Sequence, residues 1–277
     1  MRGLFVAAAL LAQPLAAQED RILALGGSVT EIVYALGEGD RLIARDTTSV
    51  YPEEARSLPD VGYMRALSAE GVLSVEPALI LAEEGAGPPE VIDVLESARI
   101  PLIIVPDEFS SEGILAKIDA IGRTLEVEDK AADLRESVAA DLGAARERAA
   151  SLSGSSPKRV LFILSLQDGR VMASGAETAA NAIIELAGAE NAITSFTGYK
   201  PLTDEALTAA APDAILMMDR TGDHAATDDE LFEIPALSLT PAAQSKAVIR
   251  MNGLYLLGFG PRTASAAEEL SEALYGG

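Results

Sequence analysis

Leu67-Ser68-Ala69-Glu70-Gly71-Val72, running on to Pro77-Ala78-Leu79-Ile80-Leu81, recurs as Leu202-Thr203-Asp204-Glu205-Ala206-Leu207, running on to Pro212-Asp213-Ala214-Ile215-Leu216. Every position pairs at one constant offset, without a gap. Each copy reads as a cap residue, a short helix with Glu in its first turn, a proline and a buried strand. A Glu in that first turn favours the helix N-terminus by itself. Earlier in each half, a Gly-containing turn leads to a helix ending in Leu36-Gly37 or Ala187-Gly188, and a strand follows. The chain therefore carries one α/β unit twice.

Outward from the first copy, Ile22–Leu25, Leu42–Ala44, Leu79–Ala82 and Leu102–Val105 read as strands. Ser28–Leu36, Ser68–Ser74 and Pro89–Ala98 read as helices between them, an alternation that predicts a largely parallel sheet. Around the second copy, Val160–Leu164 and Ala214–Met218 read as strands. Thr178–Ala187, Asp204–Ala210 and Thr263–Tyr275 read as helices. Between the halves, Glu128–Leu152 is rich in Ala, Leu, Glu and Arg and has apolar residues at Ala131, Leu134, Val138 and Leu142. That spacing predicts one long helix, about 36 Å at 1.5 Å per residue. The expected fold is two Rossmann-like α/β lobes of mainly parallel sheet with flanking helices, joined by that helix. Expected bounds are 18–126, 127–153 and 154–277, and a ligand belongs in the cleft between the lobes.

The start of the chain reads differently. Met1-Arg2 is positive, Leu4–Leu11 is apolar, and small residues follow at Ala12 and Ala16-Ala17. This is the order of a secretory signal, 1–17, with cleavage expected after Ala17 and a periplasmic product. The apolar run is too short to span a bilayer.

Composition removes many chemistries. The 277 residues carry 21 Lys+Arg against 43 Asp+Glu, a net charge of −22, with one His and no Cys. Such a balance argues against nucleic-acid binding and against docking on an anionic membrane surface. Without Cys there is no disulfide, thiolate metal site, iron–sulfur cluster or cysteine nucleophile, and no bacterial lipid anchor is expected on a cysteine after the cleavage site. A Ser-His-Asp triad would need His224, in the polar stretch Thr221-Gly222-Asp223-His224-Ala225. Gly26-Gly27-Ser28 lacks the glycine spacing of a nucleotide cradle and reads as a strand-to-helix turn or a nest for an anion. No acid/base pair stands out, so no enzymatic activity is expected.

Gly62-Tyr63-Met64-Arg65 precedes the first repeated helix. A phenolate is a hard oxygen donor and an axial ligand for ferric haem. Free tyrosine titrates near ~10, so it needs a cation or the iron itself to ionise. In an extended loop, Tyr63 and Arg65 would point the same way.

At this point the chain resembles the periplasmic haem-binding proteins of bacterial ABC haem importers, in the helix-linked group of binding proteins. The residues that carry the resemblance are Leu23–Gly37, Val61–Gly71, Thr240-Pro241-Ala242 and Leu256-Leu257-Gly258-Phe259-Gly260-Pro261-Arg262-Thr263. It implies haem as the transported ligand, with Tyr63 on the iron and Arg65 beside the phenolate oxygen. Arg220 would meet a propionate or the distal side, and Tyr199 would line the same cleft. It also implies that Glu70 and Glu205 dock a monomer onto the permease of a permease–ATPase complex. One departure is the segment before Tyr199-Lys200-Pro201-Leu202, where some relatives carry a His and this chain has Phe196-Thr197-Gly198. Alternatives on the same scaffold are a siderophore or corrinoid carrier; a haem-modifying enzyme is the other class.

Overall fold

The structure is a computed structural model that describes residues 21–167, 170–219 and 226–276. The first lobe runs β1 (Ile22–Leu25), α1 (Gly27–Ala35), β2 (Leu42–Arg45), α2 (Ala69–Ser74), β3 (Leu79–Glu83), α3 (Pro89–Ser97), β4 (Leu102–Val105) and α4 (Ser111–Thr124). Its sheet is parallel throughout, in the order β2-β1-β3-β4. All four residues of β1 are buried, as expected of a central strand covered on both faces. Ser68 and Ser110 accept N–H bonds from Gly71 and Gly113 and so start α2 and α4.

The long helix, α5, is Glu128–Ser153, 26 residues ending at Gly154 with φ +57°. It buries Ala131, Val138, Leu142, Ala145 and Ala149. It packs on α4 of the first lobe and on the C-terminal helix of the second. At Gly122 the approach to Ala131 leaves no room for a Cβ.

The second lobe contains β5 (Arg159–Gln167), β6 (Arg170–Ser174), α6 (Ala179–Leu186), β7 (Glu190–Asn191), β8 (Tyr199–Pro201), α7 (Asp204–Ala210) and β9 (Ala214–Asp219). It continues through α8 (Asp228–Phe232), α9 (Pro235–Ser238), α10 (Pro241–Ser245), β10 (Val248–Asn252), α11 (Gly253–Leu257) and α12 (Thr263–Tyr275). Its sheet runs β10-β9-β5-β6-β8 and is mixed: β10, β9 and β5 are parallel, while β6 runs against both β5 and β8. The repeat survives in three dimensions. Ala69 and Asp204 begin α2 and α7, Ser68 and Thr203 cap them through Gly71 and Ala206, and Leu79 and Ala214 begin β3 and β9.

One buried apolar cluster runs from β1 and α1 through α4 and α5 into β5, α6 and α12. The two lobes are thus packed onto a shared helix rather than hung from its ends. Among the described residues, no helix is long and apolar enough to cross a membrane.

Candidate functional site

The C-terminal ends of the first sheet face the second lobe. Gly27, at the start of α1, lies so close to the Leu254 side chain of α11 that a Cβ would not fit. Ligands of α/β sheets sit at such strand ends.

The segment carrying Tyr63 is built onto β2. Val61 donates its N–H to the Arg45 carbonyl at 2.9 Å and Thr47 donates to the Gly62 carbonyl at 3.0 Å. The Asp60 carboxylate accepts from the Gly62 N–H at 2.8 Å, from Thr47 Oγ1 at 3.1 Å and from the Arg45 guanidinium at 3.0 Å. Gly62 then turns the chain at φ +102°, a conformation that disfavours a side chain even though space is open there. Met64 and Leu67 are buried, and the Met64 carbonyl and Leu67 N–H bond to Gly87. Tyr63, 47% exposed, and Arg65 are left at the surface.

The local conformation differs from the extended loop read from sequence. Ala66 donates its N–H to the Tyr63 carbonyl at 2.8 Å, which closes a turn over Tyr63–Ala66. The i, i+2 alternation therefore does not apply. Among the described residues, Arg65 makes no hydrogen bond to Tyr63. Its charge instead reaches Tyr199 on the second lobe. Burial pushes the Tyr199 phenol up; Thr178, the Ala180 amide and the Arg65 guanidinium pull it back, leaving a net rise. Tyr199 begins β8 and meets the Phe162 ring edge-on at 6.3 Å. Arg65 of the first lobe and Tyr199 of the second, far apart in sequence, thus lie within electrostatic range of each other.

Glu70 and Glu205 occupy equivalent first-turn positions of α2 and α7, both exposed. Its own backbone N–H and the Thr203 hydroxyl hold the Glu205 carboxyl below the usual range. Arg220 and His224 lie outside the described residues.

Gly26-Gly27-Ser28 forms the tight turn, at φ +116° for Gly26. The anion at this turn is the chain's own: Asp46, fully buried, accepts the Gly26 N–H at 3.1 Å, and its carboxylate also holds Thr48 and Ser49. Ser28 Oγ is taken up by Glu83, to which it donates, and by Lys117 Nζ, which donates to it at 2.8 Å. Lys117 also pairs with Asp107 at 2.7 Å and lies 3.8 Å from Glu83. This buried cluster escaped the sequence reading. Its one signal was a lysine inside the apolar stripe of Ile114, Ile118 and Ile121.

Burial pushes the Glu83 carboxyl up to about 7, against the opposing pull of Lys117. Its native value therefore lies above its unfolded one, 4.5, so the stability it contributes is full below that value and is lost as pH rises from there through about 7. Glu83→Gln should remove this slope. Urea unfolding at pH 5 and pH 8 should show wild type losing up to about 3 kcal/mol relative to the variant across that interval. Parallel pH profiles would refute the assignment.

Among the described residues, no group of acidic or histidine side chains is arranged to hold a metal ion by itself. Two α/β lobes packed onto one shared long helix define the fold class of a solute-binding protein. The chain belongs to the periplasmic binding protein family, whose model matches residues 22–253. The family consists of exported substrate-binding proteins, not enzymes.

Particular relatives narrow the comparison. The ABC transporter substrate-binding lipoprotein YvrC of Bacillus subtilis is 32% identical, over 92% of this chain and 80% of its own length. A vitamin B12-binding protein of Yersinia pestis is 28% identical, over 96% and 89%. The structure of the periplasmic heme-binding protein BhuT in complex with two hemes is 40% identical, covers 92% of this chain and 97% of its own, and superposes with a TM-score of 0.87.

Proposed function

We propose that this protein captures haem in the interlobe cleft and delivers it to an ABC importer. The observation that carries the reading is Tyr63, raised on a glycine turn and anchored by buried Met64 and Leu67, in a chain 40% identical to a haem-binding protein. Tyr63 supplies the oxygen that bonds the iron. Arg65 and Tyr199 line the same space, and Arg220 is assigned to the propionates or the distal side. No step changes the haem covalently: apolar walls take the porphyrin faces, and cations take the carboxylates.

Residues 1–17 direct export to the periplasm and are removed after Ala17. The mature protein is a monomer divided at 18–126, 127–153 and 154–277. Glu70 and Glu205 seat it on the permease of a permease–ATPase complex, and rim charges of this kind chiefly guide encounter and orientation.

The test is a titration of purified protein with hemin, followed by visible absorption, beside the same titration with cyanocobalamin. Saturable hemin binding with a tyrosinate-to-iron charge-transfer band is expected. Saturable cobalamin binding without a hemin response would overturn the reading. The vitamin B12-binding relative favours a corrinoid as the second reading, at lower identity, 28% against 40%.

A further inference from the structure

Arg262 stands where the second lobe meets the first. Its Nη2 donates to Glu31 Oε2 at 2.8 Å and its backbone N–H donates to Glu31 Oε1 at 3.2 Å. One carboxylate of α1 thus grips both the side chain and the backbone of Arg262. Glu31 is 5% exposed, so it depends on this partner. The guanidinium lies against the Tyr51 ring, 3.4 Å from its centroid, with the Tyr255 ring at 5.1 Å. Glu31 and Tyr51 belong to the first lobe, Arg262 and Tyr255 to the second.

The loop before Arg262 is held in an unusual shape. Phe259 is buried at φ +45°, the left-handed region that non-glycine residues rarely adopt. Its ring meets Phe109 of the first lobe, centroids 5.4 Å apart. Next to it, Gly260 sits against Glu31 and Ser28, each within 3.6 Å of where a Cβ would lie. Strain of this kind persists only where surrounding contacts over-determine it.

We propose that Glu31, Arg262 and Tyr51 form a strap that holds the two lobes at one opening, so that the cleft has its working width before any ligand enters. The connecting helix does not suffice for this. Long helices curve gently rather than staying straight, so α5 and its packing alone do not fix the lobe angle to one value. Rotation about it would pull Arg262 off Tyr51 and leave the buried Glu31 carboxylate unpaired. That converts a soft hinge into a two-state contact. The strap does not depend on which ligand is carried.

The chain has no cysteine, so spin labels can be placed at will. Glu96→Cys on α3 and Ala209→Cys on α7 put one label on an exposed position of each lobe. Dipolar spectroscopy should give a narrow distance distribution in the otherwise unchanged protein. Arg262→Met should broaden it by about twofold, and Arg262→Lys, which keeps charge without the planar stack, should fall between. If Arg262→Met does not fold, Tyr51→Leu decides the matter, because Tyr51 is 42% exposed and outside the core. A folded variant with lower thermal stability and an unchanged distribution would overturn the strap, since a merely stabilising contact gives that result.

Discussion

Tyr63→Ala is expected to abolish the tyrosinate charge-transfer absorption and to weaken hemin binding by about two orders of magnitude, a loss of about 3 kcal/mol. The effect is large because the substitution deletes the proposed iron–oxygen bond, whereas the proposed porphyrin burial and carboxylate contacts would persist. The fold should survive. Tyr63 is 47% exposed, and the turn that carries it is held by Met64, Leu67, Asp60 and Gly87, not by the phenol ring. Circular dichroism and hemin titration on the same preparation separate these outcomes. A variant that retains the band would remove Tyr63 from the iron. Arg65→Ala should weaken binding by less, about tenfold, because it removes a cation proposed for the ligand's space without removing the iron ligand. Since Arg65 also pulls on Tyr199, the same variant should raise the Tyr199 phenol further, which ultraviolet titration of a Tyr63→Phe background can follow.

The second large effect is expected in transport. Reversing Glu70 and Glu205 together to Lys should cut haem transfer to the reconstituted importer by about tenfold or more, while hemin affinity stays within about twofold. The separation follows from position. Both side chains are exposed in the first turns of α2 and α7, at matched points of the duplicated unit. Two like-placed charges on two lobes suit one partner with two basic pockets. Each single reversal should give a partial defect and the pair a greater one, because each mispaired charge adds repulsion at the rim. Haem uptake into proteoliposomes is the measurement, with free-protein hemin titration as control. Normal uptake by the double variant would reduce both residues to helix-end charges.

The elements legible in the sequence were those with strong local signals. β1 and β4 match the sequence reading residue for residue, as do α7 and α12, and α5 differs only at its end. Buried strands between Gly and Pro punctuation, and an uninterrupted Ala-rich stretch, leave few other ways to bury their apolar faces. Other elements carried weaker marks. β6 and β8 are short and polar-edged, and they become strands by pairing with β5 and with each other. α4 was hidden by Lys117, a charge within its buried face. The short helices from Asp228 to Leu257 have too few turns for periodicity to register.

The candidate site divides along the same line. Tyr63, Glu70 and Glu205 stand out as candidates from sequence because each lies in a short motif read within its own neighbourhood. Local chemistry and a repeated register suffice for that, and with them the sequence by itself determined the two-lobed architecture, the linking helix and the side of each repeat that carries a charge. Tertiary structure alone decided that Arg65 comes within electrostatic range of Tyr199, that Asp46 fills the Gly26 turn, and that Glu31 meets Arg262. Those partners are separated by 20 to 231 positions where a hydrogen bond joins them. Charges and rings act through space, over a few ångströms, and no spacing along a chain encodes which distant residue the fold will bring within that range.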